Sequence, residues 1–340
     1  MSLEDLPFPL PPFYFPTRVL HVDDHAHYLE LLPPLLGPRV HVESHTSARL
    51  AIASAERASA RQSPVADLIY RQRDEANRLI LDVAGIHRIA YDPNRFSEIS
   101  VVIADWHMPE MNGLDFLRQV PLANIGRILL TGRADLGIAV EAFNLGLIDR
   151  FVEKSNPAAV DELRSAILQL QWSYFRRSFG TLADTLAIGD FPLLRDPLIV
   201  STLQNDFVTI SAIEMYVHDA PRGLLFLDDF GRSEFIVVMT PEELFAHAER
   251  AADLGAAETV QRALREGTAI PAFPRGTIAF DERRPIELDE LIPARFVRGT
   301  SADYYLGKLR ETDRYRIRIP AITSYDTWLQ QVDESPMEHP

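Results

Sequence analysis

The chain has 340 residues, 46% hydrophobic and 24% charged, with a formal net charge of −15. This is the composition of a folded protein with room for two ordinary domains. The lack of cysteine excludes disulfides and thiolate metal sites, and no apolar run approaches the roughly 18 residues of a membrane span.

The opening stretch, MSLEDLPFPLPPFYFPTR, is apolar but interrupted by prolines and has no basic leader, so it does not read as a secretory signal. A cytoplasmic protein is expected. From residue 181 onward there are 16 basic and 27 acidic side chains, so −11 of the −15 lies in that half. Acidity on that scale argues against simple electrostatic capture of nucleic acid. Only Lys154 and Lys308 are lysines in a chain whose other bases are arginines.

In chain order, a strand is predicted at Arg18 to Val22, ending on the acid pair Asp23 and Asp24, with a helix after it. A second strand is expected around Arg39 to Glu43. Residues 47 to 92 space their apolar side chains at three and four and read as helical almost throughout. A third strand, Val101 to Ala104, stops on Asp105, followed by Met108, Pro109 and, eight residues after the acid, Gly113. Then come a helix (GLDFLRQV), a fourth strand (RILLTG), a helix from about Ala134 to Leu145, a fifth strand (DRFVEK) and a long helix from about Pro157 to Arg177.

Strands alternating with helices predict a parallel sheet covered on both faces. Asp23, Asp24, Asp105, Thr131 and Lys154 then fall at or just past the C-terminal ends of their strands. That edge is where ligands bind in such sheets, which explains why an apolar strand should end on a carboxylate. Three carboxylates in one crevice repel unless a cation lies between them, and oxygen-only ligands suit Mg²⁺. Lys154 adds a compact positive charge and Thr131 a hydroxyl, a set suited to phosphoryl transfer onto an aspartate. Taken singly, the acid pair could merely cap the next helix, and Thr131 and Phe151 could be ordinary strand residues. His25, His27 and His107 match no common metal-site spacing.

The motifs VDD (22–24), DWHMPEMNG (105–113), LLTG (129–132) and FVEK (151–154) resemble those of the receiver domain of two-component response regulators, over about residues 15 to 180. The resemblance implies a five-stranded parallel, flavodoxin-like domain carrying a helical insertion at about 47 to 92. It implies that Asp105 accepts phosphate from a sensor histidine kinase. Mg²⁺ would be held by Asp23, Asp24, Asp105 and the backbone carbonyl of His107, while Thr131 and Lys154 would bind the phosphoryl group and Phe151 would act as the switch aromatic. Two departures stand out: Ser155 replaces the usual proline after the lysine, and Asp24 and Asp105 are 81 residues apart, longer than a compact receiver needs.

Residues 190 to 330 predict a second, α+β output domain with antiparallel strands. A three-stranded meander is expected in SAIEMYVHDAPRGLLFLDDFGRSEFIVVM, then one or two helices opened by Thr240, then a closing hairpin in DYYLGKLRETDRYRIRIP. No catalytic signature is legible, so no enzyme is expected beyond slow autodephosphorylation. A basic hairpin carrying Arg310, Arg314, Arg316 and Arg318 is a candidate nucleic-acid or nucleotide surface, or simply a charged face. The overall plan is similar to response regulators of the Lqs quorum-sensing type. A phosphorylation-tightened homodimer is expected through the helix from Ala134, the fifth strand and the helix from Pro157, where Leu163, Ile167 and Leu170 share a face near Trp172 and Phe175. The alternatives are a receiver-controlled enzyme of nucleotide or phosphodiester chemistry and a DNA-binding transcription regulator.

Overall fold

The computed structural model describes residues 10–61, 69–71, 79–81, 83–132, 136–188, 191–219, 221–271, 285–309 and 322–334. They fall into two compact units. One holds Phe15–Ala66 and Asn94–Gly180; the other holds Phe8–Tyr14, Asp67–Pro93 and Thr181–Pro340.

The second unit takes the first strand of the chain, β1 (Phe13–Tyr14). The first unit is built on β2 (Arg18–Val22), β3 (His41–His45), β6 (Ile99–Asp105), β7 (Gly126–Thr131) and β8 (Arg150–Glu153). All pairs are parallel, in the order β3-β2-β6-β7-β8. Central β6 is buried along its whole length, so it reads as one apolar run. Each large aliphatic side chain it buries is worth about 1.5–3 kcal/mol.

Alternate residues serve opposite faces. Leu20, Val22, Val102, Ala104 and Leu129 pack with α2 (Ala48–Ser59), α4 (Gly113–Gln119) and α5 (Leu136–Asn144). Val19, Val101, Ile103, Ile128 and Leu130 pack with α1 (Ala26–Leu36) and α6 (Ala159–Ile188), whose helical geometry breaks at Phe179.

The second unit is a seven-stranded, wholly antiparallel sheet. Its order is β1-β9-β10-β11-β14-β13-β12, with β9 (Glu214–His218), β10 (Gly223–Leu227), β11 (Ser233–Met239), β12 (Ala269–Pro271), β13 (Leu291–Val297) and β14 (Tyr304–Leu309). Its helices are α7 (Pro197–Thr209), α8 (Pro241–Asp253), α9 (Glu258–Arg265) and α10 (Tyr325–Glu334). Thr240 caps α8 in a reciprocal capping box with Glu243, as the sequence predicts.

Several expectations need correction. Residues 47 to 92 are not helical almost throughout. After α2, β4 (Ile69–Arg71) pairs antiparallel with β5 (Leu79–Leu81), and α3 (Val83–Ile86) runs into a 3-10 turn at His87–Tyr91. Short apolar triplets carry no period that separates helix from strand, and cross-strand pairing such as Ile69 with Leu81 decides the matter. The stretch is also divided, because Asp67–Pro93 belongs with the second unit. In the predicted closing hairpin, Tyr304–Leu309 pairs with β11 and β13. Arg310, Arg314, Arg316 and Arg318 lie outside the described residues. Finally, Leu163, Ile167, Leu170, Trp172 and Phe175 are all buried. The exposed apolar side chains on the expected dimer surface are instead Ile138, Val140 and Phe143 of α5, with Leu145 just beyond it.

Candidate phosphoryl-transfer site

Parallel register brings the site together. Val22 lies opposite Ala104, Asp105 opposite Leu130, and Thr131 opposite Glu153. Asp23, Asp105, Thr131 and Lys154 therefore leave the sheet side by side, and two bonds lock the edge: Trp106 N–H to the Leu130 carbonyl at 2.9 Å and Lys154 N–H to the Thr131 carbonyl at 3.0 Å.

Lys154 is the centre of the charge arrangement. Its Nζ donates to Asp23 Oδ2 at 2.6 Å and lies 2.7 Å from Asp105 Oδ1. Asp23 is fully buried and Asp105 nearly so. Burial pushes the Asp105 carboxyl above its ordinary pKa, partly offset by Lys154 and reinforced by Asp23. Burial works against the Lys154 charge, but Asp105 and Asp23 outweigh it and hold the ammonium above its usual value. The ring of Tyr28 faces the same ammonium, with its centroid 4.9 Å away. Behind the acid pair, His21 is wholly buried with no hydrogen bond on either ring nitrogen. Burial drops its pKa to about 4, so it is neutral near pH 7.

The loop after Asp105 is held at both ends. Gly113 N–H donates to the Trp106 carbonyl at 3.0 Å, and a Cβ on Gly113 would collide with the Asp105 carbonyl oxygen. Glu110 reaches the start of α2, accepting from Ser47 Oγ at 2.8 Å and from Arg49 N–H at 3.1 Å. After β8, Asn156 N–H donates to the Glu153 carbonyl at 3.0 Å and Ser155 Oγ donates to Glu153 Oε1 at 2.5 Å. The turn beside Lys154 is thus closed by Ser155 and Asn156 without the proline.

Of the sequence-predicted residues, Asp23, Asp24, Asp105 and Lys154 converge. Thr131 is buried at the same edge, its hydroxyl donating to its neighbour's carbonyl on Gly132 at 3.0 Å. Phe151 is half-buried against the core face of the sheet. His107 is exposed. Sequence reasoning set His25 aside and overlooked Tyr28. Yet one ligand atom from each of Asp23, Asp24, His25 and Asp105 lies within 4.8 Å of all the others. The signal for both was position: they follow the acid pair directly, on the turn and first helical turn that leave the same sheet edge.

The donor set fits a hard divalent cation. Three carboxylates converge, and Asp24 Oδ1 is buried with no hydrogen bond upon it. Among the described residues no other group of three or more such side chains clusters in this way. In the second unit a cleft of about 380 Å³ lies beside Ile210, Phe226 and Arg232. There Asp228 is already bonded by Arg232 Nε and the Phe230 and Arg232 N–H groups. Lys308, the other lysine, is paired with Asp206 at 3.1 Å.

A parallel five-stranded sheet whose edge gathers acids, a hydroxyl and a lysine, together with the likenesses that follow, defines the class: the chain is a response regulator with an N-terminal receiver domain. Over its whole length it is similar to the Legionella pneumophila response regulator LqsR, with 29% identity, a TM-score of 0.78, and coverage of 96% of this chain and 97% of that one. It is 35% identical over 104 residues to the C4-dicarboxylate transport transcriptional regulatory protein DctD of Pseudomonas aeruginosa, covering 27% of this chain and 22% of that protein. It is 41% identical over 56 residues to the transcriptional regulatory protein FixJ of Rhizobium meliloti, covering 16% of this chain and 27% of that protein. The match thus spans about a quarter or less of these two curated relatives. No protein-family model matches the sequence. The likenesses place the chain in two-component signalling, and no helix among the described residues is long and apolar enough to cross a membrane.

Proposed function

We propose that Asp105 is the phosphoacceptor of a two-component relay and that a sensor histidine kinase is its donor. The observation that carries this reading is the Lys154 ammonium bonded to both Asp23 and Asp105 at the sheet edge. An Asp105 carboxylate oxygen attacks the phosphorus of a phosphohistidine, the P–N bond breaks, and the leaving imidazole takes a proton from solvent. Lys154 transfers one of its hydrogen bonds to the incoming phosphoryl group, and the Thr131 hydroxyl leaves the Gly132 carbonyl to donate to the same group. Asp23, Asp24, Asp105 and the His107 carbonyl would hold Mg²⁺, which when bound neutralises charge gathering on the phosphoryl oxygens.

The change at Thr131 alters the space available to Phe151 on the neighbouring strand β8, and through β8 it biases the surface of α5. Exposed Ile138, Val140, Phe143 and Leu145 support a homodimer tightened by phosphorylation through that surface. The output works by binding and assembly in the cytoplasm. The test is acetyl phosphate with Mg²⁺. Intact-mass analysis should find one phosphoryl group on the wild-type chain and none on Asp105→Asn, which is nearly isosteric and keeps the fold. Equal incorporation by both would overturn the assignment.

A further inference from the structure

His25 stands between the acid pair and α1 as the residue preceding the helix, yet its side chain makes no capping bond. Its imidazole turns to the carboxylates instead. Nδ1 is hydrogen-bonded to Asp23 Oδ1 at 3.2 Å and lies 3.0 Å from Asp24 Oδ1. Neighbouring ligands on an ion with bonds of about 2.1 Å are about 3.0 Å apart, and opposite ligands about 4.2 Å. The imidazole nitrogen therefore stands at ligand spacing from two carboxylates, inside a group whose ligand atoms are all within 4.8 Å.

Two further features fit. Asp24 Oδ1 is buried with no hydrogen bond, although His25 Nδ1 lies only 3.0 Å from it. Lys154 binds Asp23 through Oδ2, whereas His25 approaches Oδ1. Asp23 Oδ1 also accepts the His25 backbone N–H at 3.0 Å, so an ion on that side takes the place of hydrogen bonds from His25 and need not displace the lysine. The His25 side chain is also 71% exposed, which leaves the ion a route from solvent.

We propose that His25 Nδ1 is a further protein ligand of the Asp23, Asp24 and Asp105 cation site, and that this site takes a first-row transition dication more tightly than Mg²⁺. The proposal rests on the reading that this acidic edge holds a divalent cation. Carboxylates alone suit Mg²⁺, and an imidazole adds affinity chiefly for transition ions, so a mixed oxygen and nitrogen set shifts the preference toward Mn²⁺ and the ions after it.

The test uses the full chain with MnCl₂ and MgCl₂, for wild type, His25→Ala and Asp105→Asn. Electron spin-echo spectroscopy of the Mn²⁺-loaded wild type should show coupling to a directly bound nitrogen, and His25→Ala should lose it. By calorimetry, His25→Ala should weaken Mn²⁺ by at least about tenfold, since loss of even an outer-shell partner of a metal ligand commonly costs that much, while Mg²⁺ affinity stays within about twofold. Wild-type Mn²⁺ without nitrogen coupling, or with coupling that persists in His25→Ala, would overturn the role of His25 and leave the acidic site standing. Failure of the wild type to bind either ion, or binding unaffected by Asp105→Asn, would instead remove the cation site beneath it.

Discussion

Gly113 packs directly on the backbone of Asp105: a Cβ at that position would meet both the Asp105 carbonyl oxygen and the side chain of Leu129. The glycine eight residues past the acid is thus a steric requirement of the loop. Gly113→Ala should cost about 2–3 kcal/mol, as overpacking of a filled site does, and should slow phosphoryl transfer by displacing the loop. Denaturant unfolding and the acetyl phosphate reaction check both. A variant as stable as wild type would show that the loop can yield.

Lys154 compensates two buried carboxylates at once, at 2.6 and 2.7 Å. Lys154→Ala should destabilise the protein by about 2–3 kcal/mol in the absence of divalent ions, somewhat less than loss of a fully buried partner. Added Mg²⁺ should restore part of that loss, because the ion takes over the compensation. The same variant should still bind metal, yet phosphorylation should no longer change its assembly. Thermal melts with and without MgCl₂ are the measurement, and an equal loss under both conditions would contradict the account.

Glu43, on edge strand β3, carries a pH signature. Burial pushes its carboxyl up, but the His45 hydrogen bond at 2.8 Å, Arg18 at 2.5 Å and Ser54 outweigh this and hold its pKa at about 2, against the usual 4.5. A lowered carboxylate pKa stabilises the fold above pH 4.5, and that stability disappears as pH falls toward 2. At about 1.4 kcal/mol per unit the ceiling is about 3 kcal/mol, and partial exposure reduces it to about 2. Glu43→Gln should therefore be less stable than wild type at pH 7, with the gap closing by pH 2. A gap unchanged with pH would show that the network contributes through packing alone.

The α5 surface gives a test of assembly. Phe143→Asp places a charge among Ile138, Val140 and Leu145, all exposed, so the fold should be little affected while association is weakened. Sedimentation with beryllofluoride and Mg²⁺ should show a wild-type dimer at micromolar concentration and a monomeric variant. A wild type that stays monomeric would remove dimerisation from the mechanism.

The receiver edge was legible because its chemistry needs particular residue types at strand ends, and the parallel register converts those ends into one crevice. Asp105 and Lys154 are 49 positions apart in sequence and 2.7 Å apart in space. His25 was not legible, since its role depends on where one ring nitrogen points and not on spacing. The β4–β5 pair was hidden by apolar triplets that suit either period. Strands β1 and β12 were missed because short segments at sheet margins owe their pairing to distant partners, such as Phe13 with Tyr216 and Ile270 with Ile292, and the longer β13 carries Pro293 within its run. The stripe of Leu163, Ile167 and Leu170 on α6 was expected to cover the sheet in part and leave an exposed remainder, but all of it is covered.

If Asp105 is the phosphoacceptor, the phosphoryl group is carried by its side chain as an acyl phosphate. An acyl phosphate is reduced by borohydride, which converts that aspartate to homoserine, and peptide mass spectrometry then locates the change. After treatment with acetyl phosphate and Mg²⁺, the account predicts homoserine at position 105 in the peptide containing Trp106 and none at Asp23 or Asp24. Homoserine at either of those positions, or an unmodified Asp105 in a chain that has taken up phosphate, would contradict it.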